Sequence, residues 1–104
     1  MTERRFRHDP ADMWWLPEAR CIGNDPELFF PVGTSEAALT QTAEAKHICG
    51  TCSVRPDCLE WALATFQDAG VWGGLDEEER RVIRRARRRA LVAEVERERL
   101  QPAV

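Results

Sequence analysis

Apolar residues recur with helical spacing at three places along this chain, and nowhere with the alternation of a strand. The first is Leu39, Ala43 and Ile48, the inward positions of a helix that Thr34 or Ser35 caps and that runs to about Cys49. Gly50 and Thr51 break it. The second is Cys58, Leu59, Ala62, Leu63 and Phe66, with Pro56 suited to the first turn and Gly70 as the stop. Cys58 thereby falls on a buried stripe, and Trp61 and Phe66 read as core. The third is Val82, Ile83, Ala86 and Ala90, which share a stripe about 100° wide. Asp76 caps that helix and Glu79, three residues on, completes a capping box. The pattern predicts a small all-α domain.

The connections carry their own signals. Residues 1–13 are polar, contain Pro10 and read as a mobile segment. Trp14, Trp15 and Leu16 open the ordered part. Asn24-Asp25-Pro26 is a turn, and Phe29-Phe30-Pro31 with Gly33 is an apolar loop. Gly70-Val71-Trp72-Gly73-Gly74 is a tight turn around one indole, because its glycines permit positive φ and close backbone approach. The organisation expected is a body over 14–75, a charged helix over 76–100 and a tail over 101–104. That leaves roughly 75–80 residues to fold, a size at which a metal or disulfides act as staples.

Charge divides the chain more sharply than its net value of −3 indicates. Residues 8–79 hold Arg20, Lys46 and Arg55 against fourteen acids, whereas residues 80–90 hold seven arginines and no acid. An acidic body repels DNA phosphates and attracts a basic protein surface, and the arginine segment does the reverse. Seven arginines without interleaved acids would repel one another on a plain solvated face, and guanidinium suits phosphate. The expected nucleic-acid contacts are therefore Arg80, Arg81, Arg84, Arg85, Arg87, Arg88 and Arg89. Residues 1–20 lack the apolar core of a signal peptide, and no stretch has the length of a membrane span. The expected compartment is the cytoplasm, where thiols stay reduced and clustered cysteines point to metal or redox chemistry.

The chain has four cysteines, Cys21, Cys49, Cys52 and Cys58, spaced C-x27-C-x2-C-x5-C. Four thiolates suit either structural zinc or an iron–sulfur cluster. Zinc sites commonly use two close pairs, and here Cys21 is isolated. The spacing alone leaves zinc, a cluster and plain core cysteines open. His47 is near Cys49, but four thiols leave it no ligand role; it and His8 read as surface residues.

The string Cys21…Asp25-Pro26-Glu27-Leu28-Phe29-Phe30-Pro31…Cys49-x2-Cys52-x5-Cys58…Gly70-Val71-Trp72-Gly73-Gly74…Glu79-Arg80-Arg81 resembles the WhiB-like (Wbl) family of actinobacterial regulators. The likeness covers about residues 14–90 and is greatest to the short WhiB1/WblE-type branch. Cys52-Ser53-Val54 departs from the Cys-Pro-Val common in the family, and the Trp14-Trp15 pair is less usual. No Gly-Arg-Pro hook is present, so minor-groove reading of that kind is not expected.

The resemblance implies a helical domain wrapped around one 4Fe–4S cluster on Cys21, Cys49, Cys52 and Cys58. It also implies a transcription factor that binds region 4 of the primary sigma factor and responds to nitric oxide or oxygen at the cluster. It carries sigma-factor contact onto Trp15, Phe29, Phe30 and Trp72. Apo-forms in the family can form disulfides, and some have been described as disulfide reductases. Two rivals follow: a disulfide reductase using Cys49 and Cys52, and a zinc-stabilised DNA-binding module. A thioredoxin-like CxxC needs a βαβ setting that the pattern lacks, so a regulator and not an enzyme is expected.

Overall fold

The computed structural model describes residues 12–101. Three α-helices account for most of them: α1 over Glu36–Gly50, α2 over Arg55–Ala64 and α3 over Glu77–Leu100. Two 3₁₀ turns, Leu16–Glu18 and Pro26–Phe29, precede them. Among the described residues there is no strand, only an isolated bridge between Trp72 and Leu75. The all-α architecture is as the pattern predicts. No helix of the described residues is long and apolar enough to cross a membrane. The mobile segment expected over 1–13 lies, through residue 11, outside the described residues, as do His8 and most of the tail.

Local chemistry sets the helix starts. Ser35 Oγ accepts from the Ala38 N–H at 3.2 Å and begins α1. Pro56 stands in the first turn of α2, where its missing N–H costs nothing. At α3 the capping box forms in full, with Glu79 N–H donating to Asp76 and Asp76 N–H donating to Glu79. Lys46 of α1 reaches both carboxylates, at 3.0 and 2.8 Å, and ties α3 to α1.

The buried faces are shifted from those expected. In α1 the buried residues are Ala38, Ala45 and Cys49, while Leu39 is 60% exposed and Ala43 also faces out. The small side chains let the loops approach the helix closely, and Cys49 rather than a large aliphatic sets the inward face. Helix α2 ends at Ala64, six residues before Gly70. Phe66 then adopts a positive φ of 54° and is 69% exposed, so it is not core. In α3 the expected apolar stripe is used only at half-buried Ile83: every residue from 85 to 101 is exposed, and Val82 is half out. Beyond its second turn the helix meets α2 through the exposed Arg87–Glu60 ion pair.

Two apolar clusters make the core. Phe29, Ala45, Cys49 and Val71 form one, and Trp15, Ala19 and Val54 form the other. Cys21 packs against both. The cysteines thus occupy the seam between the two halves of the core.

Candidate metal centre

Each cysteine arrives on a different kind of support. Cys21 follows the first 3₁₀ turn, Cys49 ends the inward face of α1, Cys52 sits in the α1–α2 connection and Cys58 lies in the first turns of α2. All four thiols line one cavity of about 300 Å³ whose other walls are almost wholly apolar, including Trp15, Phe29, Ile48 and Val71. All four are free thiols. Among the described residues, no three His, Cys, Asp or Glu side chains converge closely enough to hold one metal ion. The four thiols stand around one shared space. The donor set and the room therefore fit a four-thiolate iron–sulfur cluster.

The glycine turn completes the cavity. Gly73 and Gly74 both have positive φ, and their N–H groups hydrogen-bond to Cys58 and Cys49 respectively. A Cβ on Gly73 would stand 2.5 Å from Leu59 Cβ and 2.7 Å from its Cα, so only glycine lets the turn lie against α2 there. Gly70 is as tightly placed, with the Phe30 ring 2.6 Å from where its Cβ would be. Val71 N–H donates to Phe29 O at 2.7 Å and binds the turn to the Phe-Phe-Pro loop. A further N–H, that of Arg20, points at Cys52 Sγ at 3.4 Å. Three thiols thus receive backbone donors able to stabilise their thiolates.

Burial works in the opposite direction. It raises the Cys21 and Cys49 thiols above their ordinary values and pushes Cys58 up to about 12. The Gly73 N–H offsets part of this for Cys58, and the neighbouring cysteines add to it. Loading a cationic centre must therefore displace protons from these thiols.

The family model for transcription factor WhiB matches residues 15–83, the segment containing all four cysteines, the Phe-Phe-Pro loop and the glycine turn. The chain belongs to the WhiB-like family. It is 56% identical over 73 residues to the transcriptional regulator WhiB1 of Mycobacterium tuberculosis, covering 70% of this chain and 87% of that one. It is 55% identical over 76 residues to WhiB1 of Bifidobacterium longum, covering 73% and 83%. Against the transcriptional regulator WhiB of Streptomyces coelicolor the identity is 45% over 90 residues, covering 83% and 98%. These likenesses support membership of the WhiB1 branch.

The four aromatics expected at a protein interface are brought together in this WhiB-like chain, for all line the cysteine cavity. They are not equally accessible. Trp15 is 2% exposed and Phe29 7%, whereas Phe30 is 44% exposed and Trp72 is half-buried. Trp15 stands edge-on to Trp61 at 6.1 Å, Trp61 is 5.0 Å from Trp72, and Trp72 is edge-on to Phe30 at 6.1 Å. Trp15 and Phe29 are walls of the cavity, and a partner docking here meets Phe30 and Trp72.

The arginines are separated rather than gathered. Arg80 is fully buried, and the expectation that it contacts nucleic acid is corrected. Its Nη1 donates to the carbonyls of Gly70 (2.7 Å) and Leu75 (2.8 Å), and its Nη2 to those of Gln67 (3.0 Å) and Ala69 (3.3 Å). It is the latch that holds the glycine turn against α3. Nothing in the sequence distinguishes it from Arg81 except its place one turn after the Asp76 cap. Arg81 and Arg85 pair with Glu78, and Arg87 binds Glu60 of α2 through both nitrogens at 3.2 and 2.8 Å. Arg84 lies over Phe66, with Asp68 at 3.8 Å. Arg88 and Arg89 are exposed, with no ion pair among the described residues.

Proposed function

We propose that this WhiB-like protein is a transcriptional regulator whose Cys21, Cys49, Cys52 and Cys58 hold one 4Fe–4S cluster. We further propose that it binds region 4 of the primary sigma factor and promoter DNA, and that nitric oxide or oxygen reacting at the cluster alters it. The observation that carries this reading is the single apolar cavity on which four thiols from separate segments converge. When bound, the cluster supplies a redox- and gas-reactive centre that joins those segments. Around it the chain's own residues do the rest. The Gly73, Gly74 and Arg20 N–H groups steady the sulfurs. Trp15, Phe29 and Val71 exclude water.

The protein face is the rim of that cavity, where exposed Phe30 and half-buried Trp72 stand over buried Trp15 and Phe29. An acidic body with aromatic anchors suits a basic protein domain. The DNA face is the arginine stretch of α3, with Arg88 and Arg89 unpaired and Arg81, Arg84, Arg85 and Arg87 behind them. Because the reactive centre and the protein face share walls, loss of the cluster would loosen the aromatic rim.

Anaerobic purification with iron, sulfide and zinc analysis tests the centre. The expected result is a brown protein with about four irons and four sulfides per chain. Colourless protein with one zinc per chain would overturn it and favour the zinc-stabilised module. Co-purification with a sigma-factor region 4 fragment tests the protein face, which requires Phe30→Ala or Trp72→Ala to weaken the complex while leaving cluster absorbance in place.

A further inference from the structure

A groove between the end of α2 and the first turns of α3 plays no part in the cysteine centre. It holds about 540 Å³, with Leu63, Ala64 and Phe66 on one wall and arginines of α3 on the other; Glu60 is its one acid. Both Glu60 oxygens are occupied by Arg87. Arg81, Arg84, Arg85 and Arg88, spaced by helical turns, line the opposite wall; Arg81 and Arg85 share Glu78, Arg84 has Asp68 only at 3.8 Å, and Arg88 has no ion pair among the described residues.

Two features of it are unexpected in a plain surface. The first is Phe66. The Gln67 N–H donates to Ala62 O at 2.9 Å and the Phe66 N–H to Leu63 O at 3.4 Å, the pattern of a Schellman cap, which leaves Phe66 at the left-handed position. Glycine is the ordinary residue there and a bulky side chain is disfavoured. No burial compensates, because the ring is 69% exposed. The second is Arg84. Its guanidinium lies 5.6 Å from the centre of the Phe66 ring, and its side chain is only 22% exposed. Its Nη1 is buried with no hydrogen-bond partner, and Asp68 approaches its Nη2 only to 3.8 Å. An aromatic face thus stands in solvent beside a guanidinium whose Nη1 lacks an acceptor and whose Nη2 has Asp68 only at 3.8 Å.

We infer that this groove seats the DNA backbone, with Arg84 and Arg88 on phosphate oxygens and the Phe66 ring against the adjoining sugar. A line of guanidinium forks suits a polymer of regularly spaced phosphates better than it suits a lone carboxylate. The ring supplies the apolar contact that a bare phosphate would not use. The inference rests on the DNA-binding reading and adds to it. DNA would lie across the junction of α2 and α3, not along the outer face of α3 alone, and Phe66 would be a contact made without charge.

The test is binding of the anaerobically prepared full-length protein to a short DNA duplex, measured across a salt series with Phe66→Gly, Phe66→Trp and Arg84→Gln. Phe66→Gly lowers affinity about five-fold at every salt concentration with the slope unchanged, because no charge is lost. It also raises the melting temperature, because glycine relieves the left-handed position. Phe66→Trp restores affinity. Arg84→Gln reduces the salt slope by about one. If Phe66→Gly and Arg84→Gln both bind DNA as the parent does, with the parent's salt slope, the inference fails. If the parent protein binds no DNA, the broader reading fails with it. A fall in melting temperature with Phe66→Gly would show that the ring is structural, and would also overturn the inference.

Discussion

The body over residues 14–76 holds all the cysteines, tryptophans and glycines of the chain, whereas α3 is built mainly from arginine, glutamate and small aliphatics, and the two are held together in opposite ways. The body has little regular structure of its own. Its two short helices, two 3₁₀ turns and glycine turn meet through long-range contacts at the cysteine cavity. Helix α3 is long and locally determined, with a complete capping box and neighbouring charge pairs. Its side chains from residue 85 onward are exposed. On the proposed cluster reading the body depends on what fills its cavity, whereas α3, with its own cap and charge pairs, depends mainly on itself. A change at the cavity should therefore affect the protein face before the DNA face. The two regions meet in ion pairs such as Lys46–Glu79 and Arg87–Glu60 and, inside the fold, at Arg80, which belongs to α3 by sequence and to the body by contact.

The largest way to break this contrast is at the centre. Any one of Cys21→Ser, Cys49→Ser, Cys52→Ser or Cys58→Ser should lose most of the iron, and with it cooperative melting. Far-ultraviolet circular dichroism should then retain the signal of α3 while the near-ultraviolet signal of the tryptophans collapses. Equal loss of both would show that α3 is not independent. Gly73→Ala comes next. It forces the turn away from Leu59 and should cost about 3 kcal/mol or more, read as a fall in melting temperature of the holoprotein.

Arg80→Ala tests the joint. Removing the guanidinium leaves four carbonyls short of a donor in a closed setting, so a loss of about 3 kcal/mol is expected in chemical denaturation. Any loss of DNA binding should follow from instability, with the salt slope of the remaining folded protein unchanged. Arg88→Gln with Arg89→Gln is the counterpart. Stability should change by less than about 0.5 kcal/mol, while the salt slope of DNA binding falls by about two.

A smaller effect sharpens the picture at the start of α3. Asp76→Ala should cost about 1 kcal/mol through the lost cap. Although burial alone would raise it, the Asp76 carboxyl lies below its ordinary value because the Glu79 N–H and Lys46 stabilise its charge. A depressed carboxylate stabilises the fold above its unfolded pKa and loses that contribution as pH falls through the folded one. The difference in melting temperature between the parent and Asp76→Ala should therefore shrink as the pH is lowered below about 4.

The sequence alone determined the all-α class, a first-helix cap at Thr34 or Ser35, the Asp76 capping box, and the break at Gly50 and Thr51. All of these are local, set by a hydrogen bond or a steric limit within a few residues; the structure chose Ser35 and laid the glycine turn against distant Leu59 and Phe30. The sequence also singled out the cysteines, the aromatics and the arginines as the chemistry-bearing residues. Tertiary structure alone decided which of them face outward. Periodicity placed Leu39 and Ala43 inside, but the loops laid on α1 require small residues, and Ala38, Ala45 and Cys49 took that face. Helical spacing likewise continued to Phe66 although the chain leaves the helix before it. Arg80 and Arg88 are the same residue type in one run. Only the carbonyls that fold back from residues 67–75 make one a buried latch and leave the other free, because burial of a guanidinium depends on acceptors supplied from elsewhere in the chain.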